Sequence, residues 1–235
     1  GLFAAILPYL EQGNLYQSLA MELAIDEEPN RTLGQTQIPM YLCPSNKHVY
    51  GLKKAPHSLP LTDKTLELAV IDYTGLNGST RLYAEAPGSG QLSDHGGFAE
   101  RQSLRITDFT DGTSNTIDVT ECNKFARGVW IHGRPHYNNA AYQINTLRGY
   151  NGGANGFEPD GKAGCAATTG YSTPCPTGGP GKGAAGQWGI SSDHPSGANA
   201  LFVDGSVHFL TDSLSPQTLT ALATRDGGEV IADSY

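Results

Sequence analysis

Long apolar runs are missing from this 235-residue chain. The longest, Leu2 to Leu7, falls far below the roughly 20 residues a helix needs to cross a bilayer. No membrane span is expected from these residues. Basic charge is scarce too, with Lys plus Arg at 15 against Asp plus Glu at 23, a net charge of −8. Such a balance argues against nucleic acid as a partner, because phosphate binding wants clustered cations. An acidic surface suits solubility outside the cell and can attract divalent cations. Charged residues make up only 16% while glycines number 30, so the surface reads as polar and loop-rich rather than laced with ion pairs.

Cysteines are few: Cys43, Cys122, Cys165 and Cys175. No two stand at the C-x-x-C spacing of a zinc or redox motif, which leaves disulfides or free thiols. Cys165 with Cys175 closes a short Gly/Pro/Thr-rich loop at the lowest entropic cost, and that choice leaves Cys43 with Cys122. Also missing is the G-x-S-x-G elbow of serine hydrolases, since Gly112-Thr113-Ser114-Asn115-Thr116 fails at its last glycine.

What is present reads as one α+β domain over residues 1–235. Pro8 to about Met21 predicts a helix, with Leu10, Leu15, Tyr16 and Leu19 as its apolar stripe. Ile38 to Cys43 reads as an edge strand or extended segment, and Leu66 to Tyr73 as a strand. Two β-favouring runs, Leu104 to Phe109 and Thr116 to Glu121, flank a turn or short capped helix at Asp111 to Asn115. Val129 to Ile131 adds a short strand. Residues 149–189, dominated by Gly, Pro, Thr, Ala and Asn, read as a long insertion. Asn199 to Val203 and Ser206 to Leu210 form a hairpin about Asp204-Gly205, whose residues tolerate positive φ. In its second strand His208 is expected to face solvent, opposite Val207 and Phe209. Ser215-Pro216 then caps a closing helix with Leu219 and Leu222 facing inward. Hairpin connections without βαβ alternation predict an antiparallel sheet packed on a helix.

Several groups of residues carry types that do chemistry. Asp108, Asp111, Asn115, Glu121, Asp193 and Asp204 offer hard oxygens, and a calcium site at Asp111, Asn115, Glu121 and Asp204 is the leading cofactor expectation. Ser114, His194 and Asp204 are residue types of a nucleophilic triad, the hydrolase alternative, although no complete catalytic motif surrounds them. His132, His136 and His194 form a zinc alternative, weakened by Gly133 and Pro135, which oppose a shared helical face. Trp130, Tyr137 and Trp188, in or beside the polar insertion, are candidate rings for a carbohydrate or other extracellular ligand.

Four blocks in fixed order carry a resemblance. These are Leu7-Pro8-Tyr9-Leu10-Glu11-Gln12 with Leu15-Tyr16; Ile38-Pro39 with Leu42-Cys43-Pro44-Ser45; Ile106-Thr107-Asp108-Phe109-Thr110-Asp111-Gly112-Thr113-Ser114-Asn115-Thr116; and His194 followed nine residues later by Asp204-Gly205. Together they resemble a bacterial family of prepilin-type, pseudopilin-like proteins known for an H-x9-D-G motif. The resemblance covers most of the chain except roughly residues 122–190. It implies a pseudopilin-like globular head and a non-enzymatic structural role in a pilus-like or type II secretion-associated assembly. Other pseudopilin-like subunits, or self-assembly, are the partners it implies, at an extracellular or periplasmic, envelope-associated location. It also implies calcium near the C-terminal loops, and an unpaired Cys43 whose usual partner lies in a missing region. Family members begin with a basic leader, a cleavage site and a long apolar helix. None of these precedes Gly1, so the expectation is either the soluble part of a longer precursor or a homologue that lost the helix.

Overall fold

In a computed structural model the described residues are 1–46, 51–54, 61–63, 65–78, 95–99, 103–122, 128–132, 138–139, 144, 190–231 and 234–235. Four short helices occur among them: α1 (Leu2–Ala5), α2 (Gly13–Ser18), α3 (Asn30–Leu33) and α4 (Pro216–Leu222). Strands are β1 (Leu52–Lys54), β2 (Glu67–Ile71), β3 (Tyr73–Gly78), β4 (Ile117–Glu121), β5 (Gly128–Val129), β6 (Asn138–Asn139), β7 (Gly197–Phe202) and β8 (Val207–Thr211). The architecture is α+β, as expected. One sheet has the order β1-β2-β5 and the other β6-β3-β4-β7-β8, with every strand pair antiparallel except β3 with β6.

Two buried clusters follow from these sheets. Phe3, Leu7, Ile38, Tyr41, Leu66, Leu68, Val129 and Trp130 form the first, under α1 and the three-stranded sheet. The second joins Leu76, Ile117, Ala198, Phe202 and Leu210 of the larger sheet to Leu219 and Leu222 of α4. Fully buried Ile117, Phe202 and Leu219 each contribute roughly 1.5–3 kcal/mol of apolar transfer energy. The helix α4 starts as the sequence predicts: Ser215 Oγ accepts the Thr218 N–H at 3.1 Å and Pro216 takes the first helical position.

The chain passes between the two clusters at Asp72, a fully buried residue linking β2 to β3. Its N–H donates to Tyr41 O at 2.9 Å and its carbonyl accepts the Cys122 N–H at 2.7 Å. That seam positions the site described below.

Local differences from expectation have local causes. The helix from Pro8 to Met21 breaks into a 3-10 turn at Leu7–Leu10 and α2, because Glu11 adopts the left-handed conformation with φ 58°. Ile38 to Cys43 holds a 3-10 turn at Pro39–Tyr41 rather than a strand, and Ile106–Asp108 is another. The hairpin itself stands where predicted, yet β8 is turned over. His208 stacks edge-on to Phe202 at 4.8 Å and sits beside Tyr235 at 5.8 Å, while Val207 and Phe209 are 64% and 44% exposed. The inner face is set by Leu210, which is fully buried, and a period of two then puts His208 inside. The insertion expected at 149–189 lies outside the described residues.

Candidate functional site

Three side chains from distant parts of the chain meet at the seam. Cys43 follows the Pro39–Tyr41 turn, Glu121 ends β4, and His194 precedes β7. Cys43 Sγ lies 3.5 Å from His194 Nε2, and Glu121 Oε1 lies 3.2 Å from the same nitrogen. All three donor atoms fall within 4.8 Å of one another.

Each is held by backbone structure. The Cys43 N–H donates to Asp72 Oδ2 at 2.8 Å, and Asn46 Nδ2 donates to the same oxygen at 2.9 Å, so the buried Asp72 carboxylate fixes the Cys43 loop. Glu121 sits where the β4–β7 ladder ends: its Oε2 accepts the Asn199 N–H at 2.8 Å, and its carbonyl accepts the Ser191 N–H at 3.1 Å. His194 is set by its own N–H to Ser192 Oγ at 3.2 Å, and its ring meets Phe209 edge-on at 6.3 Å. Gly197 leaves the room this requires, since a Cβ there would come 2.3 Å from Leu210 O and 2.7 Å from the Phe209 ring.

The thiol and carboxylate are buried, each at 1% exposure, while the His194 side chain keeps 24%. Solvent therefore reaches the group from the imidazole side. Burial pushes the Cys43 thiol up to about 11, with a further rise from the Glu121 and Asp72 carboxylates. Tyr73, on the same seam, is pushed up to about 12 by burial and then by Cys43, Glu121 and Asp72. A thiol in that state is a poor nucleophile near neutral pH.

Residues 1–217, which contain all three side chains, match the model of a family described as "Protein of unknown function (DUF1559)". The chain belongs to that family. No curated protein and no solved structure matches it.

In this DUF1559 chain the remaining candidate residues are spread apart. Asp204 makes an Asx turn, its Oδ1 accepting the Ser206 N–H and hydroxyl at 2.9 and 2.6 Å. Asp111 caps the chain after α4, accepting the Gly227 and Gly228 N–H groups at 2.8 and 3.0 Å. Asn115 donates to Asp111 O at 2.9 Å and accepts the Tyr235 hydroxyl at 3.1 Å. These three lie at the turn end of the hairpin, and Glu121 lies at the other end of β4, so the four calcium candidates do not converge. Ser114, in the Thr113–Asn115 turn, is likewise at the Asp204 end. A strand of six residues, β7, separates Asp204 from His194 by roughly 20 Å at about 3.3 Å per residue, and no Ser114–His194–Asp204 triad is assembled.

Trp130 is wholly buried and donates its indole N–H to Thr36 O at 3.0 Å, so it is a core residue and not a ligand platform. Tyr137 and Trp188 lie outside the described residues, as do His136, Cys165 and Cys175. His132 is buried next to Trp130 and stands outside the group at His194. Cys43 and Cys122 are both buried and are not joined in the disulfide expected as one alternative. The thiol of Cys43 turns to His194 instead. The grouping of Cys43 with Glu121 and His194 was missed from the sequence. The hints there are that His194 is the member of the H-x9-D-G motif that turn geometry does not explain, and that it belongs to the zinc alternative with His132 and His136, whose partners differ from those found.

Proposed function

We propose that this chain is the globular head of a non-enzymatic structural subunit in a pseudopilin-like assembly at the cell envelope, of pilus or type II secretion type. The reading places it outside the cytoplasm, packed against further pseudopilin-like subunits or copies of itself. The observation that carries it is where the motif residues are spent. Asp111, Asn115 and Asp204 all bind backbone or side chains of their own domain, fixing the turns on which the larger sheet closes. Residues that defined a substrate site would face an opening instead.

Two further features agree. The seam residues do not form a nucleophilic relay, in which thiol and acid address opposite nitrogens of the imidazole; here both address Nε2. And β8 is the last strand of the larger sheet, with Val207 and Phe209 exposed on its outer face, an apolar patch of the kind that contacts neighbouring subunits. Among the described residues no helix is long and apolar enough to cross a membrane.

The test is a photo-crosslinking amino acid placed at position 207 or 209 in the protein expressed in its native cell, followed by envelope fractionation. Crosslinks to a second subunit in an envelope fraction are expected. A chain recovered free, with no crosslink from either position, would remove the structural-subunit reading.

A further inference from the structure

We propose that Cys43, Glu121 and His194 bind a zinc(II)-class metal ion, which ties the two buried clusters together and keeps one coordination position toward solvent. The inference stands apart from the assembly reading, since it needs no partner subunit.

Geometry is the first argument. Tetrahedral zinc, with bonds of about 2.3 Å to sulfur and about 2.0–2.1 Å to nitrogen and oxygen, holds its sulfur and nitrogen ligands about 3.6 Å apart and its nitrogen and oxygen ligands about 3.3 Å apart. The observed separations are 3.5 Å for Cys43 Sγ to His194 Nε2 and 3.2 Å for His194 Nε2 to Glu121 Oε1. Two edges of a coordination tetrahedron are therefore already in place.

The direction of approach is the second. An imidazole nitrogen has one in-plane direction, filled by a hydrogen or a lone pair, and can serve one partner well. Here a sulfur and a carboxylate oxygen both press on Nε2. A cation between the three reconciles them, because each then points one lone pair at a common centre.

Charge and ligand softness select the ion. A thiolate and a carboxylate neutralise a divalent cation, which suits a group whose thiol and carboxylate are both 1% exposed. Thiolate with imidazole is a soft to borderline donor set that favours zinc over calcium or magnesium, which want six or more oxygens. Binding is a simple exchange: the Cys43 S–H bond breaks, an S–metal bond forms, and the proton leaves to buffer. The carboxylate is already oriented by the Asn199 N–H and the Cys43 backbone by Asp72, the supporting shell that metal ligands need. Three protein ligands leave a fourth position, and it opens on the His194 side beside the half-exposed Phe209 ring.

Cobalt(II) titration of the full chain under reducing conditions, followed by zinc(II), tests this. One equivalent of cobalt should bind with a near-ultraviolet sulfur-to-cobalt charge-transfer band, and zinc should displace it. In Cys43→Ser the band should vanish, and in His194→Gln affinity should fall by more than the roughly 10–100-fold that losing an outer partner costs. Cys122→Ser and the double variant Cys165→Ser/Cys175→Ser should keep the band. Should Cys43→Ser not fold, alkylation of the wild-type chain followed by mass spectrometry replaces it: zinc should protect Cys43 and leave the Cys122 rate unchanged. No charge-transfer band, or a band that survives Cys43→Ser, overturns the site. So does equal cobalt affinity in His194→Gln, or alkylation of Cys43 at the same rate with and without zinc.

Discussion

At its turn end the β7–β8 hairpin is shaped by a local side-chain device, with Asp204 Oδ1 taking the N–H and hydroxyl of Ser206 two residues on, while the Asp204 backbone N–H donates to Thr113 O at 3.2 Å. The side chain before the hairpin's open end makes long-range contacts: His194 reaches Cys43, 151 residues away in sequence, and Glu121 of the adjacent strand. His194 and Asp204, two of the three residues that define one short motif, thus do opposite kinds of work. Asp204 encodes a local shape that any similar hairpin could use, and His194 couples the second cluster to the first. A motif that joins a local device to a long-range one marks where separate parts of the chain must be brought into register. Metal binding would act on one end only.

The largest effect should separate them outright. Zinc at about 100 times its dissociation constant should stabilise the reduced wild-type chain by about 2.7 kcal/mol. For a chain of this size that is a rise of roughly 5–10 °C in melting temperature. The shift should disappear in His194→Ala and persist in Asp204→Ala, as read by circular dichroism melting with zinc and with chelator. Were Asp204→Ala to lose the shift as fully as His194→Ala, the ends would not be independent and the contrast would fail.

Glycines sharpen the same contrast, because each end has one for a different reason. Gly197 is needed for space: an added Cβ would meet the Leu210 carbonyl oxygen at 2.3 Å and the Phe209 ring at 2.7 Å. Gly197→Ala must move the β8 backbone, an overpacking cost of about 1–3 kcal/mol, and should weaken cobalt uptake because Phe209 adjoins His194. Gly205 has open space around it but a φ of +88°, so Gly205→Ala should cost about 1 kcal/mol of backbone strain with cobalt affinity unchanged. Paired denaturation and cobalt titrations read both quantities. If Gly205→Ala alters cobalt affinity as much as Gly197→Ala does, the hairpin transmits strain along its length and the two-ended description is wrong.

The same division decides what the sequence made legible. Asp204-Gly205, the Asp111 to Asn115 turn and the Ser215-Pro216 cap were readable because each is chemistry between residues a few positions apart. So was the α+β class, which follows from hairpin connections. Tertiary contacts overrode the rest. The pattern puts His208 outside because Val207 and Phe209 are its apolar neighbours in that strand; yet Leu210 and the Phe202 and Tyr235 rings draw the other face inward. Trp130 sits among glycines and histidines in sequence and is fully buried in space. All three seam residues carry an expectation from the sequence, but in different roles: Cys43 as a disulfide or unpaired cysteine, Glu121 as a calcium ligand, and His194 as a catalytic alternative or as a zinc ligand alongside His132 and His136. No spacing rule joins them, because the Asp72 crossover that unites them is formed only when both clusters are.

The smallest effect tests whether the Asp204 side chain is as local as its hydrogen bonds to Ser206 indicate. Asp204 is held below the usual carboxylate range first by the Ser206 hydroxyl, then by the Ser206 N–H, with His208 adding a weaker attraction. A carboxylate with a depressed folded-state pKa contributes stability that is present above its unfolded pKa and is lost as pH falls through its folded one. Asp204→Asn keeps an oxygen able to accept from Ser206 and removes the charge. At pH 7 the wild type should therefore melt slightly higher than Asp204→Asn, and the gap should close as pH is lowered through and below the ordinary carboxylate range. Because the residue is exposed, salt should shrink the gap as well. The identical series on zinc-saturated protein should superimpose, since nothing at this turn touches His194. A gap that widens toward acid, or that changes when zinc is added, would mean that Asp204 answers to the seam after all, and that the motif acts as one unit.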